Sequence, residues 1–452
     1  MARGACVGTI VAVVLSIGVL AASGSGKATD ARQASDTVSV DPVSLKLWWW
    51  GGDDAKGLGK FLKQAVAEYH ALHPNVTITP VEQTTEALIP AFNAAAAAKK
   101  GPDVQYFWGG IWGLENAWKG AITPVSDYIP KSELAHYLNA SEDTYDGKVW
   151  TMPWQLAPSF PVMYRKDVFK RAGVVPPTTW KQMLAACDAF HALGSDRSLF
   201  AGGIKDGWFG GWLYTIIGQQ GMSSVSHLLD AVTGKNGRKL SDPALAAFWY
   251  RLDEMRQHHC WNDDIGSVQL FEGQQAWLDG KAAMTVTGTI SDEFVKKAGA
   301  SNIVVTTMPV WGKGQYARKI GSSSQTLGIT KWSKHPKEAA DFLQFLHTPG
   351  QLKKMYFLSE TFPADDRVKT SWFKRDVDRQ VWKIGKVGGP YLENFIPTQL
   401  DAEGIIKHAQ LVLGGNEKPA AAIAANQALV ERLRSTQRRI MKNFAVWAES
   451  YR

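Results

Sequence analysis

The chemistry this chain could do is concentrated in its tryptophans, of which there are 19 in 452 residues. An indole offers a flat apolar face for stacking and one N–H that needs a partner, so it is favoured where flat ligands bind. Trp50 is followed by Gly51, Gly52 and Asp53, and Trp108 by Gly109, Gly110, Ile111 and Trp112. Trp208 and Trp212 enclose Phe209-Gly210-Gly211 behind Asp206-Gly207, and Trp154 lies between Pro153 and Pro158. Glycine and proline neighbours make the backbone irregular, which leaves a ring less fully packed inside a regular element. Asp53 and Glu82 would add hydrogen bonds that their charge strengthens. Stacking with charge-assisted hydrogen bonding is the chemistry of recognition. Packing in the core accounts for other indoles: Trp48 reads as core, and Trp212, four residues from Trp208, is divided between core and ligand contact.

Other chemistries find less support. A glycosidase needs two carboxylates facing each other across the scissile bond. Asp53, Asp54, Glu82 and Glu115 fall near expected loops, but no acid–base motif marks a pair. Neither H-E-x-x-H nor G-x-S-x-G occurs, and the glycine loops match no phosphate-binding pattern. His258 and His259 are adjacent, the wrong spacing for a helical metal pair, and read as surface. No cofactor or metal is expected. The net charge of +8 is spread along the chain, and the one concentrated basic run, 432–442, reads as a solvated helix face, so nucleic acid is not an expected partner.

Several elements must position these residues. Apolar residues at 45% and charged residues at 20% are those of a globular protein, and the length calls for two or more domains. Residues 45–50 read as a strand, 58–72 as a helix stopped before Pro74, and 76–78 as a strand. An alanine-rich helix follows over 87–100, then a strand over 103–107. This β-α-β-α-β order implies a parallel sheet with right-handed crossovers. Ligands of such sheets lie off the carboxyl ends of the strands, where Trp50, Gly52, Glu82, Trp108 and Trp112 fall. In DGKVWTMPWQLAPSFPVMYRKDVFKRAG (146–173), the prolines keep the chain extended, and Asp167 and Gly173 bound a short helix. Further on come a helix from Thr179, a buried strand from Lys281 through Thr287 to Gly288, and a serine run including Ser323. One long helix is expected over 420–448.

The 146–173 stretch, with Pro176-Pro177-Thr178-Thr179-Trp180 after it, resembles the extracellular solute-binding proteins of sugar ABC transporters, the maltose-binding type among them. Arg165 stands where that family usually has Asn. The W-x-G-G-D block at Trp50, the Lys281–Gly288 segment, Ser333-Lys334-His335-Pro336-Lys337-Glu338-Ala339-Ala340 and Phe362-Pro363-Ala364 extend the likeness over 45–364. From Tyr391 it fades.

The resemblance implies an α/β protein with a two-lobed, periplasmic-binding-protein-like fold, its discontinuous lobes set around a central cleft. Lobe one is expected over 44–153 and 290–346, lobe two over 154–289 and 347–452. The 146–173 stretch would be the first crossing between them and 281–288 the return. The expected ligand is a carbohydrate, mono- or oligosaccharide, delivered to a membrane permease by a monomer that is not an enzyme. Trp50, Gly52, Asp53, Glu82, Trp108, Trp112, Trp154, Trp208, Trp212, Thr287, Ser323 and Tyr391 are the candidate contacts. Sugar rings present apolar C–H faces to aromatics, whereas a polyamine site would want several acidic loop tips. A secreted carbohydrate-active enzyme and a binding protein for a non-sugar solute such as a polyamine are the alternatives.

At the N-terminus, Arg3, the apolar run 7–20 and the small residues after it read as a signal peptide over 1–22, and 23–43 as a disordered tether, giving an extracytoplasmic location. Cys6 precedes the apolar run, so no lipobox is visible. Cys187 and Cys260 are either disulfide-bonded or two buried thiols.

Overall fold

A computed structural model describes residues 41–52, 55–288 and 290–451. The expected signal peptide and almost all of the tether lie outside the described residues. Pro42–Arg452 forms one compact unit.

The chain opens as its hydrophobic pattern dictates. β1 (Val43–Trp49) buries alternate residues Val43, Leu45, Leu47 and Trp49, so Trp49 is the core indole and Trp48, expected there, is half-buried. α1 (Leu58–Leu72) buries Leu58, Phe61, Leu62, Ala65 and Tyr69. β2 (Val76–Glu82), α2 (Thr85–Ala98), β3 (Val104–Phe107) and α3 (Ile111–Trp118) complete the first layer. Thr84 caps α2 by accepting from the Ala87 N–H. β4 (Ile122–Thr123) and a hairpin of β5 (Thr144–Tyr145) and β6 (Lys148–Val149) lead to β7 (Met152–Ser159) and β8 (Val162–Arg165). β9 (Ser198–Ala201), β10 (Ala282–Val286), β11 (Ile303–Thr306), β12 (Gly321–Thr330), β13 (Phe362–Pro363) and β14 (Gly389–Pro390) follow among helices.

These strands form two main sheets. The first runs β13-β7-β12-β3-β1-β2, with β4 and β14 also pairing β12. β1 is parallel to β2 and β3, as the crossover pattern requires, whereas β12 is antiparallel to both β3 and β7. The second runs β11-β8-β10-β9. The chain therefore passes from the first sheet to the second at Phe160-Pro161, returns between Thr306 and Gly321, and leaves again after β14.

This arrangement corrects the expected divisions. β7 belongs to the first sheet, although its two prolines, Pro153 and Pro158, with Pro161 just beyond it, suggested an irregular crossing; proline is tolerated in a strand where its missing N–H breaks no ladder bond. β11 pairs β8, so residues 303–306 sit with the second sheet. The 281–288 segment does not cross back, because β10 is held between β8 and β9. The helix Pro349–Ser359 packs on α1, which gives it to the first lobe. Arg165 is buried and donates to the carbonyls of Trp277 and Leu278, a bracing role within the second lobe. Asp167 does not cap the helix Lys166–Ala172; its carboxylate pairs with Arg165 and Arg171. The long C-terminal helix is two, Pro419–Thr436 and Arg438–Ala448, broken at Gln437, where φ −108° and ψ 46° leave the helical region. The break lets the second piece pack against the helix Val225–Thr233 and α3.

The helices Trp180–His191 and Pro243–Gln257 of the second lobe are tied by a disulfide, Cys187–Cys260, just beyond the second helix's end. It closes a loop of 73 residues, and chain-entropy arguments value such a link at about 4 kcal/mol. Replacing both cysteines by serine should lower the melting temperature by several degrees in calorimetry. Thiol titration of the denatured, unreduced chain should find no thiol beyond Cys6.

Candidate functional site

The carboxyl ends of β1, β2 and β3 gather one aromatic group. Trp50 follows β1 and donates its indole N–H to Thr85 Oγ1 at 2.9 Å. Its ring lies 5.6 Å from Tyr106 and 5.8 Å, edge-on, from Trp108. Trp108 in turn meets Trp112 edge-on at 5.1 Å. All three tryptophans are half-buried, so part of each ring is open to solvent. Glycines make the turn possible. Gly109 and Gly110 have φ of +91° and +52°, and a Cβ on Gly109 would stand 2.0 Å from the Ser324 carbonyl oxygen. Glu82 is exposed, and a Cβ on Gly52 would collide with its carboxylate at 2.0 Å. A cavity of about 80 Å³ opens beside Tyr106, Trp108, Trp112, Asn93 and Asn116. Asp53 lies outside the described residues.

The second lobe carries another group. Trp208 precedes the helix Phe209–Leu213, its ring 4.9 Å from Trp212 and 5.9 Å from the exposed Phe271. Trp212 stacks on Phe160 at 3.7 Å, nearly parallel; one face is thus occupied, which explains its divided reading in the sequence. Phe160 holds φ +77° at the first crossing, and Tyr391 lies 5.4 Å from it. Beside Trp208, burial pushes the Asp206 carboxyl above its usual range; the Trp208 side chain opposes this, and the charges of Glu272 and Glu86 add to it. Glu86 is in the first turn of α2, on the first lobe. Its charge thus acts on Asp206 from the other lobe.

Three candidate contacts are enclosed instead. Trp154 is 1% exposed within the first lobe's core, because β7 is flanked by β12 and β13. Thr287 is buried beside the first crossing, with its N–H near the Pro161 carbonyl. Ser323 is buried and donates its hydroxyl hydrogen bond to Glu142 Oε2 at 2.8 Å. Their side chains are structural in this conformation.

Ser323 exposes a feature that the sequence reading missed. Glu142, Ser323 and Asn394 come from the segment before β5, from β12 and from the crossing segment Leu392–Phe395. The Asn394 amide donates to Glu142 at 3.2 Å and also to Ser323. Next to them Asp143 accepts from the Gly110 N–H at 3.0 Å and from Thr151 at 2.5 Å, fixing the Trp108–Trp112 turn. Burial raises the Glu142 carboxyl to about 7, against the two hydrogen bonds it accepts, and pushes Asp143 well up. A second buried pair, Glu393 and Asp401, is raised by burial, Glu393 also by the charge of its neighbour; the Tyr391 hydroxyl donates to Glu393. Nothing local marks these acids, since their partners are up to 252 residues away.

Residues 52–353 match the family described as bacterial extracellular solute-binding protein, more than half of the chain, and the chain belongs to that family. An uncharacterized ABC transporter extracellular-binding protein of Pyrococcus horikoshii is 22% identical over 358 residues, covering 76% of this chain and 77% of that one. The multiple sugar-binding protein of Streptococcus mutans is 24% identical over 234 residues, 50% of this chain and 54% of that one. Among solved structures, a chitin oligosaccharide binding protein superposes with a TM-score of 0.71 at 20% identity, over 88% of this chain and 100% of that one. The fold is therefore the two-lobed α/β fold of binding proteins, and the family is one of binding proteins rather than enzymes.

The raised carboxyl of Glu142 carries a pH prediction. The unfolded chain releases this proton near the usual value of 4.5, while the folded chain holds it to about 7. Stability contributed by the group is therefore full below 4.5 and is lost as pH rises through that window. Glu142→Gln should flatten the fall in urea midpoint between pH 5 and pH 8, and gain most over the parent at pH 8.

Proposed function

We propose that the chain binds a carbohydrate outside the cytoplasm, between its two lobes, and delivers it to the membrane permease of an ABC transporter. The observation that carries this reading is the pair of aromatic groups, Trp50, Trp108 and Trp112 on one lobe and Trp208, Trp212 and Tyr391 on the other. Sugar rings offer C–H faces to indoles, and their hydroxyls suit the carboxylates of Glu82, Glu86, Asp206 and Glu272. Asp53 belongs to the same proposal by its place after Gly52. The names of the relatives support it, since two of the three compared are sugar-binding proteins.

The finer readings rest on the family. Export by residues 1–22, the expected 23–43 tether ending where β1 begins at Val43, and action as a monomer are the form in which a receptor of this kind would serve a permease. Among the described residues no helix is long and apolar enough to cross a membrane. Two lobes joined by crossings at Phe160-Pro161, between β11 and β12, and after β14 would close over the sugar by rotating about a few backbone torsions.

A ring stacked on a sugar face gains from buried apolar area at ~25 cal/mol per Å², so its removal should cost about 2 kcal/mol, or some 30-fold in affinity. A thermal-shift screen across mono-, di- and oligosaccharides identifies the ligand. Titration calorimetry should then show such losses for Trp108→Ala and Trp208→Ala at nearly unchanged melting temperature. Trp154→Ala should do the opposite, lowering the melting temperature while the folded fraction binds normally. Normal binding by both Trp108→Ala and Trp208→Ala would place the site elsewhere.

A further inference from the structure

The second lobe brings together three metal-ligating side chains that the sugar reading does not use. His191 is the last residue of the helix Trp180–His191, His259 follows the end of Pro243–Gln257, and Asp263 lies four residues further on. The two imidazoles stack face to face, 4.0 Å apart and 7° from parallel. One donor atom from each of the three residues lies within 4.8 Å of the others. His259 is exposed, and so is Asp263, while His191 is half-buried, so a hydrated ion has open access.

The backbone beneath them is fixed. Cys187, one helical turn before His191, is bonded to Cys260, the residue after His259. His259 itself holds φ +49°, a conformation uncommon for a residue with a side chain. It sets the ring against His191. The neighbouring His258 is committed elsewhere, its Nδ1 2.9 Å from Asp188. Spacing along the sequence hid the pair, because the second histidine comes from the turn after another helix rather than from the same helix face.

We propose that His191, His259 and Asp263 form a surface site for a borderline divalent transition cation, Zn2+ in the first instance. Two imidazoles and one carboxylate are ligands that zinc accepts, with water in the fourth position. Tetrahedral bonds of about 2.0–2.1 Å bring donor atoms to roughly 3.3–3.5 Å from one another. The donor atoms must close by up to about 1.4 Å and the stacked rings must turn so that their in-plane lone pairs converge, which χ rotations of the exposed His259 and Asp263 and the half-buried His191 supply while the disulfide holds their anchors. The ion would cross-link both helices to the turn that follows. In that turn Asn262 accepts from the Gly202 N–H, and Trp261 packs edge-on at 5.5 Å against Phe209, behind Trp208 and Trp212.

The test uses untagged protein stripped with a chelator and titrated with zinc chloride in a calorimeter. The parent should bind one ion per chain in the micromolar range. The double variant His191→Ala/His259→Ala should bind at least tenfold more weakly, and His258→Ala should bind as the parent does. Melting curves of each variant in chelator establish that it is folded at the titration temperature. If the parent takes up no zinc, or if the double variant binds as tightly as the parent, the proposal is overturned.

Discussion

The structure depends on one strand. β12 completes the first sheet from the inside, antiparallel to β3 on one edge and β7 on the other, and also accepts β4 and β14. The chain reaches it only after building the whole second sheet, so the first lobe cannot close its hydrogen bonds until residue 321 has returned. Discontinuous lobes are the consequence, and so is the placement of the crossings at one boundary. Ten residues of β12 are almost wholly buried, five of them polar and carrying a hydroxyl. Such hydroxyls need partners. Ser323 and Ser324 find them in Glu142 and the Leu138 carbonyl, within the stretch that leads to β5 and β6.

That need explains why buried acid gathers at the boundary. Glu142 satisfies hydroxyl and amide donors from two other segments at once, at the cost of a desolvated carboxyl. Asp143 next to it holds the backbone of the Trp108–Trp112 turn through Gly110. The aromatic face of the first lobe is thereby tied to the same cluster that joins the crossings. On the second lobe, Phe160 has a comparable place: it belongs to a crossing and is also the ring on which Trp212 stacks. Strand-end aromatics and boundary backbone are thus held together on each side.

Much of this was legible in the sequence. The β-α-β-α-β order, the parallel strands and the loops at their carboxyl ends follow from period and glycine placement, and Trp50, Trp108 and Trp112 fall together accordingly. Trp208, half-buried before a short helix, also follows from its glycine-rich context. Trp154 did not, because proline reads as irregularity in sequence, while β7 uses its prolines inside a strand. The lobe boundaries shifted for a related reason: strand pairing over long separations, as between β11 and β8, leaves no local mark. The latch of Glu142, Ser323 and Asn394 is invisible for the same reason. The disulfide was open between two readings, and only helix proximity, with Cα atoms 4.6 Å apart, decides it.

In the proposed function a sugar is gripped between two aromatic faces that the crossings allow to approach. Small-angle scattering of the protein, with and without a saturating sugar whose binding calorimetry has established, addresses this most directly. A smaller radius of gyration in the bound state is the predicted result. An unchanged radius with the sugar bound would contradict closure of the lobes around it.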